Sequence, residues 1–402
     1  PEEENFVQGW PFELTPEQEI SSRIGALRRR MELEGVEVAL VLQNVDLFYF
    51  AGTLQRGYLV IPLEEEPAFF VQQDYGRAKG ESPLKVEKVK GLGELEDFGP
   101  FRVARRVGVE LDVLPVSLFR KMERAFGGKE WVDISKEILA VRARKSPFEI
   151  EQLRRSAEIV DHVFSKVPEL LREGMTELEL DALLQAEGRR RGHQGWLRMR
   201  GFNQEMPNIS VMAGESGAAP SYTDTPLKGY GVTHAIAQGA SWRKIGRDEP
   251  VVVDYGGGYN GYTTDETRTF VIGRLPPHLQ RAYEVALEVL ETFEEHAKEG
   301  VNGREIYRLC WEVVQRRGLE GHFMGYEDSK VKFIGHGIGL EINERPIIAS
   351  GRDEVLEEGM VLAVEPKFVF PAEGAVGVEA DYVVRKEGVE RLSTFPLELL
   401  FL

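Results

Sequence analysis

The strongest constraint on the fold is an internal repeat in the second part of the chain. Residues 172–192 align without gaps on residues 298–318, and seven of the 21 aligned positions are identical. Thr176 and Asn302 fall at the same place, where each is suited to cap the start of a helix. A longer amphipathic helix pattern precedes each copy and strand patterns follow it. The repeat predicts two similar α/β halves with a site between them.

The length of 402 residues predicts two domains, because a single hydrophobic core rarely grows to that size. The first part mixes short buried strands with helices and carries no chemical motif. Ser146-Pro147 then suits the start of a long helix, with proline in its first turn. We therefore expect an α/β (α+β) protein with an N-terminal domain at 1–143 and a C-terminal domain at 144–402.

The net charge and the cysteine content indicate which partners and which cellular compartment to expect. A formal net charge of -17 argues against nucleic acid or an anionic membrane as the main partner, since both attract basic surfaces. The single cysteine, Cys310, lies at helical spacing among apolar residues, so we expect it to be buried and unable to form an internal disulfide. The first ten residues lack the pattern of a signal peptide, and no apolar run is long enough to span a bilayer. These features predict a cytoplasmic protein.

A first pair of acids flanks a glycine-rich turn between two strand patterns. Asp254 and Asp265 are symmetric about the midpoint between Tyr259 and Asn260. A hairpin that turned there would place the two carboxylates directly opposite each other on one face, about 5 Å apart at Cβ. Carboxylates that close repel each other unless a cation lies between them. Taken alone, such a pair is more often a set of turn-forming acids.

A second pair repeats this arrangement, and a histidine joins it. Glu365 and Glu379 are symmetric about Ala372 and are expected to face each other across a second hairpin. A buried, unpaired carboxylate among valine, leucine and phenylalanine is costly, so a partner is expected. Imidazole with several carboxylates suits Mn, Co, Zn or Fe(II) better than Ca or Mg. The sequence therefore predicts two divalent metal ions held by Asp254, Asp265, His336, Glu365 and Glu379. His336 lies between Gly335 and Gly337, which we expect to leave room for a close approach of metal or substrate.

In these motifs the chain resembles the pita-bread metallopeptidases, namely methionine aminopeptidase, aminopeptidase P and prolidase, with creatinase as a metal-free relative. The resemblance covers the RKSPFEIEQLRRSAEI segment, the Asp-x10-Asp pair, the HGIGL run, the VEP motif and the final glutamate. It implies an N-terminal creatinase-like α/β domain and a C-terminal pita-bread domain with pseudo-twofold halves. It also implies that Asp254 chelates one ion, that Asp265 and Glu379 bridge, and that His336 and Glu365 hold the other ion. Glu365 would serve as the general base.

Three positions depart from the family pattern. The histidine that usually follows the HGIGL run is replaced by Asn343, which can donate a hydrogen bond to an oxyanion but cannot carry a proton. A second histidine, which follows a proline before the first aspartate, is replaced by Ser221. His234 is a candidate substitute for the missing histidine. Gly377 stands where the family often has arginine.

The resemblance is strongest to the two-domain Xaa-Pro peptidases. It implies a homodimeric enzyme that cleaves small peptides with proline after the scissile bond. Two alternatives stay open at this point. One is a metal-dependent hydrolase of C–N or amide bonds in a small metabolite, with Asn343 replacing the usual catalytic histidine. The other is a metal-binding protein without catalytic activity on the same scaffold.

Overall fold

The computed structural model describes residues 13–402. Residues 1–12 lie outside that range, so the prediction that the first ten residues are not a signal peptide falls outside the described residues. The contacts divide the chain into two units. The first unit contains the residues up to Arg142 together with the short segment Arg200–Asn203. The second consists of Ala143–Met199 and Gln204–Leu402. Among the described residues, no helix is both long enough and apolar enough to cross a membrane.

The first unit is built on a six-stranded mixed sheet with the strand order β4-β3-β2-β1-β5-β6. β2 runs antiparallel to β1 and β3, and the other neighbours are parallel. The elements are α1 (Glu17–Leu33), β1 (Val38–Val41), α2 (Asn44–Ala51), β2 (Gly57–Pro62), β3 (Ala68–Val71), α3 (Tyr75–Glu81), β4 (Lys85–Lys88), α4 (Gly99–Val103), β5 (Arg106–Val109), α5 (Val116–Ala125), β6 (Glu130–Asp133) and α6 (Ser135–Ala143). The central strands β1, β2, β3 and β5 are mostly apolar and buried, as expected where helices cover both faces of a sheet, whereas the edge strands β4 and β6 carry charged residues and are partly exposed.

The second unit begins with two helices and an antiparallel sheet. Ser146 caps the first helix: its hydroxyl accepts from Glu149 N at 3.2 Å, and its own N–H donates to the Glu149 carboxylate at 3.1 Å. This reciprocal pair satisfies two N–H groups at the helix start, as the Ser-Pro signal predicts. The elements of this half are α7 (Pro147–Leu170), α8 (Glu177–Arg190), β7 (Ile209–Ala213), β8 (Pro250–Gly256) and β9 (Asp265–Val271).

The other half of this unit repeats the order of two helices followed by strands. It contains a five-stranded sheet, β11-β10-β12-β15-β16, and a hairpin of β13 and β14. The last strand, β17, returns to pair with β9 of the first half. The elements are α9 (Pro277–His296), α10 (Gly303–Arg317), β10 (Phe333–Gly337), β11 (Glu344–Ala349), β12 (Val361–Val364), β13 (Lys367–Phe370), β14 (Gly374–Gly377), β15 (Ala380–Arg385), β16 (Gly388–Arg391) and β17 (Leu400–Phe401).

The two copies of the sequence repeat form α8 and α10. Thr176 caps α8 through a capping box, and the Asn302 side chain caps α10 by accepting from Arg304 N at 2.9 Å. Each half has its own hydrophobic core, one between α7, α8 and β7–β9 and one between α9, α10 and the strands that follow them. Cys310 lies fully buried in the second core, as predicted.

The register of the first hairpin differs from the predicted one. Asp254 faces Thr267 and Asp265 faces Gly256, so the two aspartates are not directly opposite each other. The pairing is shifted by two residues. Because side chains alternate with a period of two, this shift leaves both carboxylates on the same face of the hairpin. The prediction was wrong about direct opposition and right about the shared face.

An Asn-Gly turn sets this register. Asn260 and Gly261 have φ values of 47° and 88°. Tyr259 and Tyr262 exchange backbone hydrogen bonds of 3.0 and 2.9 Å across the turn. A two-residue hairpin turn needs positive φ at both central residues, which asparagine followed by glycine tolerates best. This dipeptide was the sequence signal for the true turn, one residue beyond the predicted midpoint.

The second hairpin has the predicted register. The β12–β15 ladder and the β13–β14 ladder flank the acidic pair and keep the same pairing. That common register places Glu365 opposite Glu379. Ala372 lies in the turn between β13 and β14 with φ 63°. The second acidic pair is therefore a cross-strand pair, as predicted.

Candidate metal centre

The two hairpins meet where Thr267 of the first lies beside Glu379 of the second. Glu379 N donates to Thr267 O at 3.1 Å, and the Thr267 hydroxyl donates to Glu379 Oε2 at 2.7 Å. Because Thr267 faces Asp254 in the first hairpin, this bridge brings an aspartate of one hairpin beside a glutamate of the other. The acidic pairs of the two halves therefore converge on one place.

His336 reaches this place from β10, between β11 and β12. Its Nε2 lies 3.8 Å from Asp265 Oδ2 and 3.7 Å from Glu365 Oε1, while Nδ1 lies 3.2 Å from Gly337 O. Burial lowers the pKa of His336 below its usual value, which favours the neutral imidazole that binds metals.

The glycines beside this histidine have a different role from the expected one. A Cβ at Gly335 would lie 2.6 Å from Ala363 O, and one at Gly337 would lie 2.1 Å from Arg345 O. The space beside both glycines is therefore filled by neighbouring backbone. They allow β10 to pack closely between its neighbours and do not open room for a ligand.

Three of the predicted ligands are close enough to share one ion. Ligand atoms of Asp265, His336 and Glu379 all lie within 4.8 Å of one another. Glu379 Oε1 is buried and has no hydrogen-bond partner among the described residues. A buried carboxylate oxygen without a partner is costly, and a coordinated cation removes that cost. The donor set fits a divalent transition-metal ion at this position.

Lys367, which sequence reasoning missed, lies among the same carboxylates. Its Nζ is 2.8 Å from Glu365 Oε2, 2.7 Å from Glu379 Oε2 and 3.8 Å from Asp254 Oδ2, and its side chain is 1% exposed. The signal was available in the sequence: Lys367 is two residues after Glu365 in a strand pattern, which predicts that the two side chains share a face. A lysine inside the otherwise apolar segment KFVF also needs a buried partner.

The charges in the cluster act strongly on one another. Burial raises the pKa of Asp254 to about 6 and that of Glu365 to about 8, and it raises the pKa of Asp265 well above its usual range. Burial opposes the charge on Lys367, but the surrounding carboxylates outweigh it and raise the lysine pKa. Burial also acts to raise the pKa of Glu379, but Lys367 and other neighbours outweigh it and lower that pKa. The negative charge of the cluster is therefore reduced in two ways: some of its carboxyl groups hold a proton more readily, and the Lys367 ammonium lies among them.

A buried polar layer supports the ligands from behind. Asp265 N donates to Asp381 Oδ2 at 3.0 Å. Arg268 donates to Glu379 O at 2.6 Å and forms a fully buried ion pair with Glu266 at 3.0 Å. These contacts fix the backbone that carries Asp265 and Glu379, so the positions of the two carboxylates are set before any ligand binds.

The cluster lies at a cavity of about 480 Å³ in the second unit. Asn343 lines this cavity together with Asp254, Asp265, His336, Glu365 and Lys367. Ser221 and His234 are not among the lining residues. The Ser221 hydroxyl donates to Ala237 O, and His234 is exposed in a turn. The structure therefore does not bring these two predicted catalytic residues to the cavity, because each belongs to a loop with its own local contacts.

A buried carboxylate–histidine centre on paired hairpins, beside a cavity, defines a protein of the metallopeptidase class. Residues 151–386 match the family model of metallopeptidase family M24, and residues 23–144 match the creatinase/prolidase N-terminal domain. The chain belongs to metallopeptidase family M24. The two-domain fold expected from the resemblance, with a creatinase-like domain followed by the M24 domain, is confirmed.

Similarity to individual proteins extends over almost the whole chain. An Xaa-Pro dipeptidase from Pyrococcus furiosus is 28% identical over 95% of this chain and 100% of its own length. The solved structure of an Xaa-Pro dipeptidase from Bacillus anthracis is 27% identical, with a TM-score of 0.82 over 95% of this chain and 100% of that one. A prolidase structure from Pyrococcus horikoshii is 26% identical, with a TM-score of 0.80 over 94% and 100%.

Proposed function

We propose that this protein is a metal-dependent peptidase that cleaves the bond before proline in short Xaa-Pro peptides. The observation that carries the proposal is the cluster of Asp265, His336 and Glu379, with Glu365 beside it, at a cavity of the M24 domain. The full-length similarity to proteins named Xaa-Pro dipeptidase and prolidase supports the choice of substrate.

The five predicted ligands remain the proposed donors to metal. Asp254, Asp265, His336, Glu365 and Glu379 form the donor set, with Mn, Co, Zn and Fe as the candidate metals. A bound divalent cation would polarise the scissile carbonyl and lower the pKa of an attacking water.

Glu365 is the proposed general base. Its Oε2 accepts from Lys367, which leaves Oε1 facing His336. A carboxylate held in this way by one oxygen can receive a proton on the other. Asn343 lies in the cavity wall and is the proposed donor to the oxyanion.

The cavity also carries features that favour dipeptides over longer peptides. Lys332 and Arg352 line it together with the acidic cluster. These basic side chains at the wall match the free carboxylate that a dipeptide presents close to its scissile bond. An Xaa-Pro amide lacks this charge, so it should be a poorer substrate than the free Xaa-Pro dipeptide.

A second candidate function is hydrolysis of a C–N or amide bond in a small metabolite. The observation that favours it is the cavity wall, where Asn343 stands in place of a histidine and neither Ser221 nor His234 contributes. Cyclic amides are the substrates that would distinguish this activity from peptidase activity. A non-catalytic metal-binding role is the remaining candidate, and it predicts bound metal without turnover of either substrate class.

The wider context of the enzyme is proposed from the sequence. We place it in the cytoplasm as a homodimer with no nucleic-acid or membrane partner, in keeping with its acidic charge and single buried cysteine. The division into domains at 1–143 and 144–402 is part of the same proposal. Size-exclusion chromatography with light scattering tests the oligomeric state.

The function is tested with a panel of Xaa-Pro dipeptides, Xaa-Pro amides, longer Xaa-Pro peptides and cyclic amides, each with added Mn²⁺ or Co²⁺. Asp265→Asn and Glu365→Gln should lower kcat by roughly 10²–10⁴-fold, the usual contribution of a positioned base or ligand. His234→Ala is the matched control, because this exposed residue lies outside the cavity lining, and it should keep wild-type turnover. Failure to cleave any Xaa-Pro peptide with any metal would refute the proposal, and retained turnover in both acidic variants would refute the site.

A further inference from the structure

Lys367 stands where the resemblance leads one to expect only metal ions. Its ammonium nitrogen contacts Glu365 and Glu379 at hydrogen-bond distance and lies 3.8 Å from Asp254 Oδ2. These three carboxylates belong to the ligand set predicted for two ions. We propose that the Lys367 ammonium takes the place of one ion, so that the centre binds a single divalent cation per chain.

The distances around Glu365 and Glu379 show that a lysine ammonium and a metal ion cannot both occupy this position. A transition-metal ion lies about 2.0–2.2 Å from a ligating carboxylate oxygen. The Lys367 nitrogen is 2.8 Å from Glu365 Oε2 and 2.7 Å from Glu379 Oε2. An ion bound to those same two oxygens would overlap the ammonium, and two cations so close in a buried site repel each other strongly. Lysine and a second ion therefore exclude each other at this position.

The packing around Lys367 holds it in the cluster. The side chain is buried, and Lys367 faces Gly377 across the β13–β14 ladder. A Cβ at position 377 would lie 2.6 Å from Lys367 Cγ, so the lysine stem occupies the space that any other residue at 377 would need. Position 377 is also where the resemblance leads one to expect arginine. In this chain the positive charge belongs instead to Lys367, on the strand opposite Gly377, and its ammonium contacts Glu365 and Glu379.

With Lys367 in the cluster, one position for a metal ion remains, between Asp265, His336 and Glu379. Glu379 uses Oε2 for Lys367 and Thr267, whereas its Oε1 is buried without a hydrogen-bond partner among the described residues. Asp265 and His336 offer atoms within 4.8 Å of Glu379 and of each other. These three residues form the single site. The inference concerns the number of ions and goes beyond the proposed peptidase function, since it holds whichever substrate the enzyme cleaves.

Counting bound metal tests the inference directly. Protein freed of metal is dialysed to equilibrium against saturating Mn²⁺, and the ions are measured by mass spectrometry. We expect about one ion per chain in the wild type and about two in Lys367→Met, which removes the charge and keeps an apolar stem. Lys228→Met is the matched control: Lys228 is also buried, at 7% exposure, but it donates to the carbonyls of Ser221 and Ser329. It should stay at one ion.

The wild type gives a second measurement if Lys367→Met does not fold. Electron paramagnetic resonance of the Mn²⁺-loaded wild type should show an isolated ion and no exchange-coupled pair. Two ions per wild-type chain, a coupled pair, or no ion at all would overturn the inference, as would one ion per chain in a folded Lys367→Met variant. Ion counting does not depend on turnover, so a wild type with one ion and no Xaa-Pro hydrolysis would refute the proposed function and leave the inference standing.

Discussion

Burial controls the protonation of Asp181, a carboxylate of α8 outside the metal centre. Its side chain is 6% exposed, and Gln185 Nε2 donates to Asp181 Oδ1 at 2.9 Å. Burial raises the pKa of Asp181 to about 7. α8 packs on β7, the neighbour of the strand that carries Asp254, so this acid lies in the scaffold of the site and can be changed without touching the ligands.

Asp181→Asn should stabilise the protein at alkaline pH. The folded state holds a proton on Asp181 up to about pH 7, whereas the unfolded chain releases it near pH 4. Folding therefore binds a proton in this window, and the stability contributed by this group falls as pH rises through it. The variant should gain roughly 1–3 kcal/mol in free energy of unfolding at pH 8 and nothing at pH 4.

Urea denaturation of both proteins at the two pH values measures this difference. Glu173→Gln is the control, because Glu173 is an exposed carboxylate of the same unit. It should leave the stability of the protein unchanged at both pH values. An Asp181→Asn variant that is equally destabilised at pH 4 and pH 8 would show that the carboxyl hydrogen bond to Gln185 matters more than the buried charge.

Among the structural elements, the two hairpins show how well local sequence patterns predict strand register. The second hairpin followed the predicted symmetry, because its turn lies at the midpoint between Glu365 and Glu379. The first did not, because Asn260-Gly261 provides a turn of lower energy one residue further along the chain. Both outcomes follow from rules of local backbone geometry, so the sequence contained enough information for each.

Gly377→Ala should destabilise the second hairpin. The added methyl group would meet Lys367 Cγ at 2.6 Å and Pro366 O at 2.7 Å, and both neighbours are held by strand pairing. Overpacking of this kind usually costs about 1–3 kcal/mol. Gly388→Ala is the matched control, since it lies at the start of β16 with nothing within 4 Å of its added Cβ, and it should change stability by less than about 0.5 kcal/mol. Equal unfolding midpoints for the two variants in guanidinium would contradict the packing described for Lys367.

For the molecule as a whole, the metal centre ties both halves of the second unit together. Asp265 comes from the first half, and His336 and Glu379 come from the second. An ion shared between them should stabilise only the folded state, because the unfolded chain does not bring these residues together.

Adding Mn²⁺ at about 100 times its Kd should raise the free energy of unfolding of the second unit by roughly 2.7 kcal/mol. Hydrogen exchange measured by mass spectrometry should slow in β9, β10 and β15, the strands that carry or adjoin Asp265, His336 and Glu379, when metal is added, and chelator should reverse the effect. Peptides from β1–β3 of the first unit serve as an internal control and should exchange at the same rate with and without metal. Uniform slowing over both units, or no change in β9, would contradict a metal site at Asp265.

The sequence by itself determined the features that depend on neighbours along the chain. The repeat, the helix caps at Ser146, Thr176 and Asn302, and the acidic pairs on shared strand faces all follow from local periodicity and hydrogen bonding. The burial of Cys310 follows from the same periodicity.

Only the tertiary structure decided which of these residues meet. The bridge between Thr267 and Glu379 joins hairpins that are more than a hundred residues apart in the sequence. With the neighbouring contacts of Asp265 and Arg268, it brings their carboxylates together. Lys367 entered the cluster and Ser221 and His234 stayed outside the cavity for the same reason. A strand pattern states which face a side chain occupies, but the packing of distant elements determines what that face contacts.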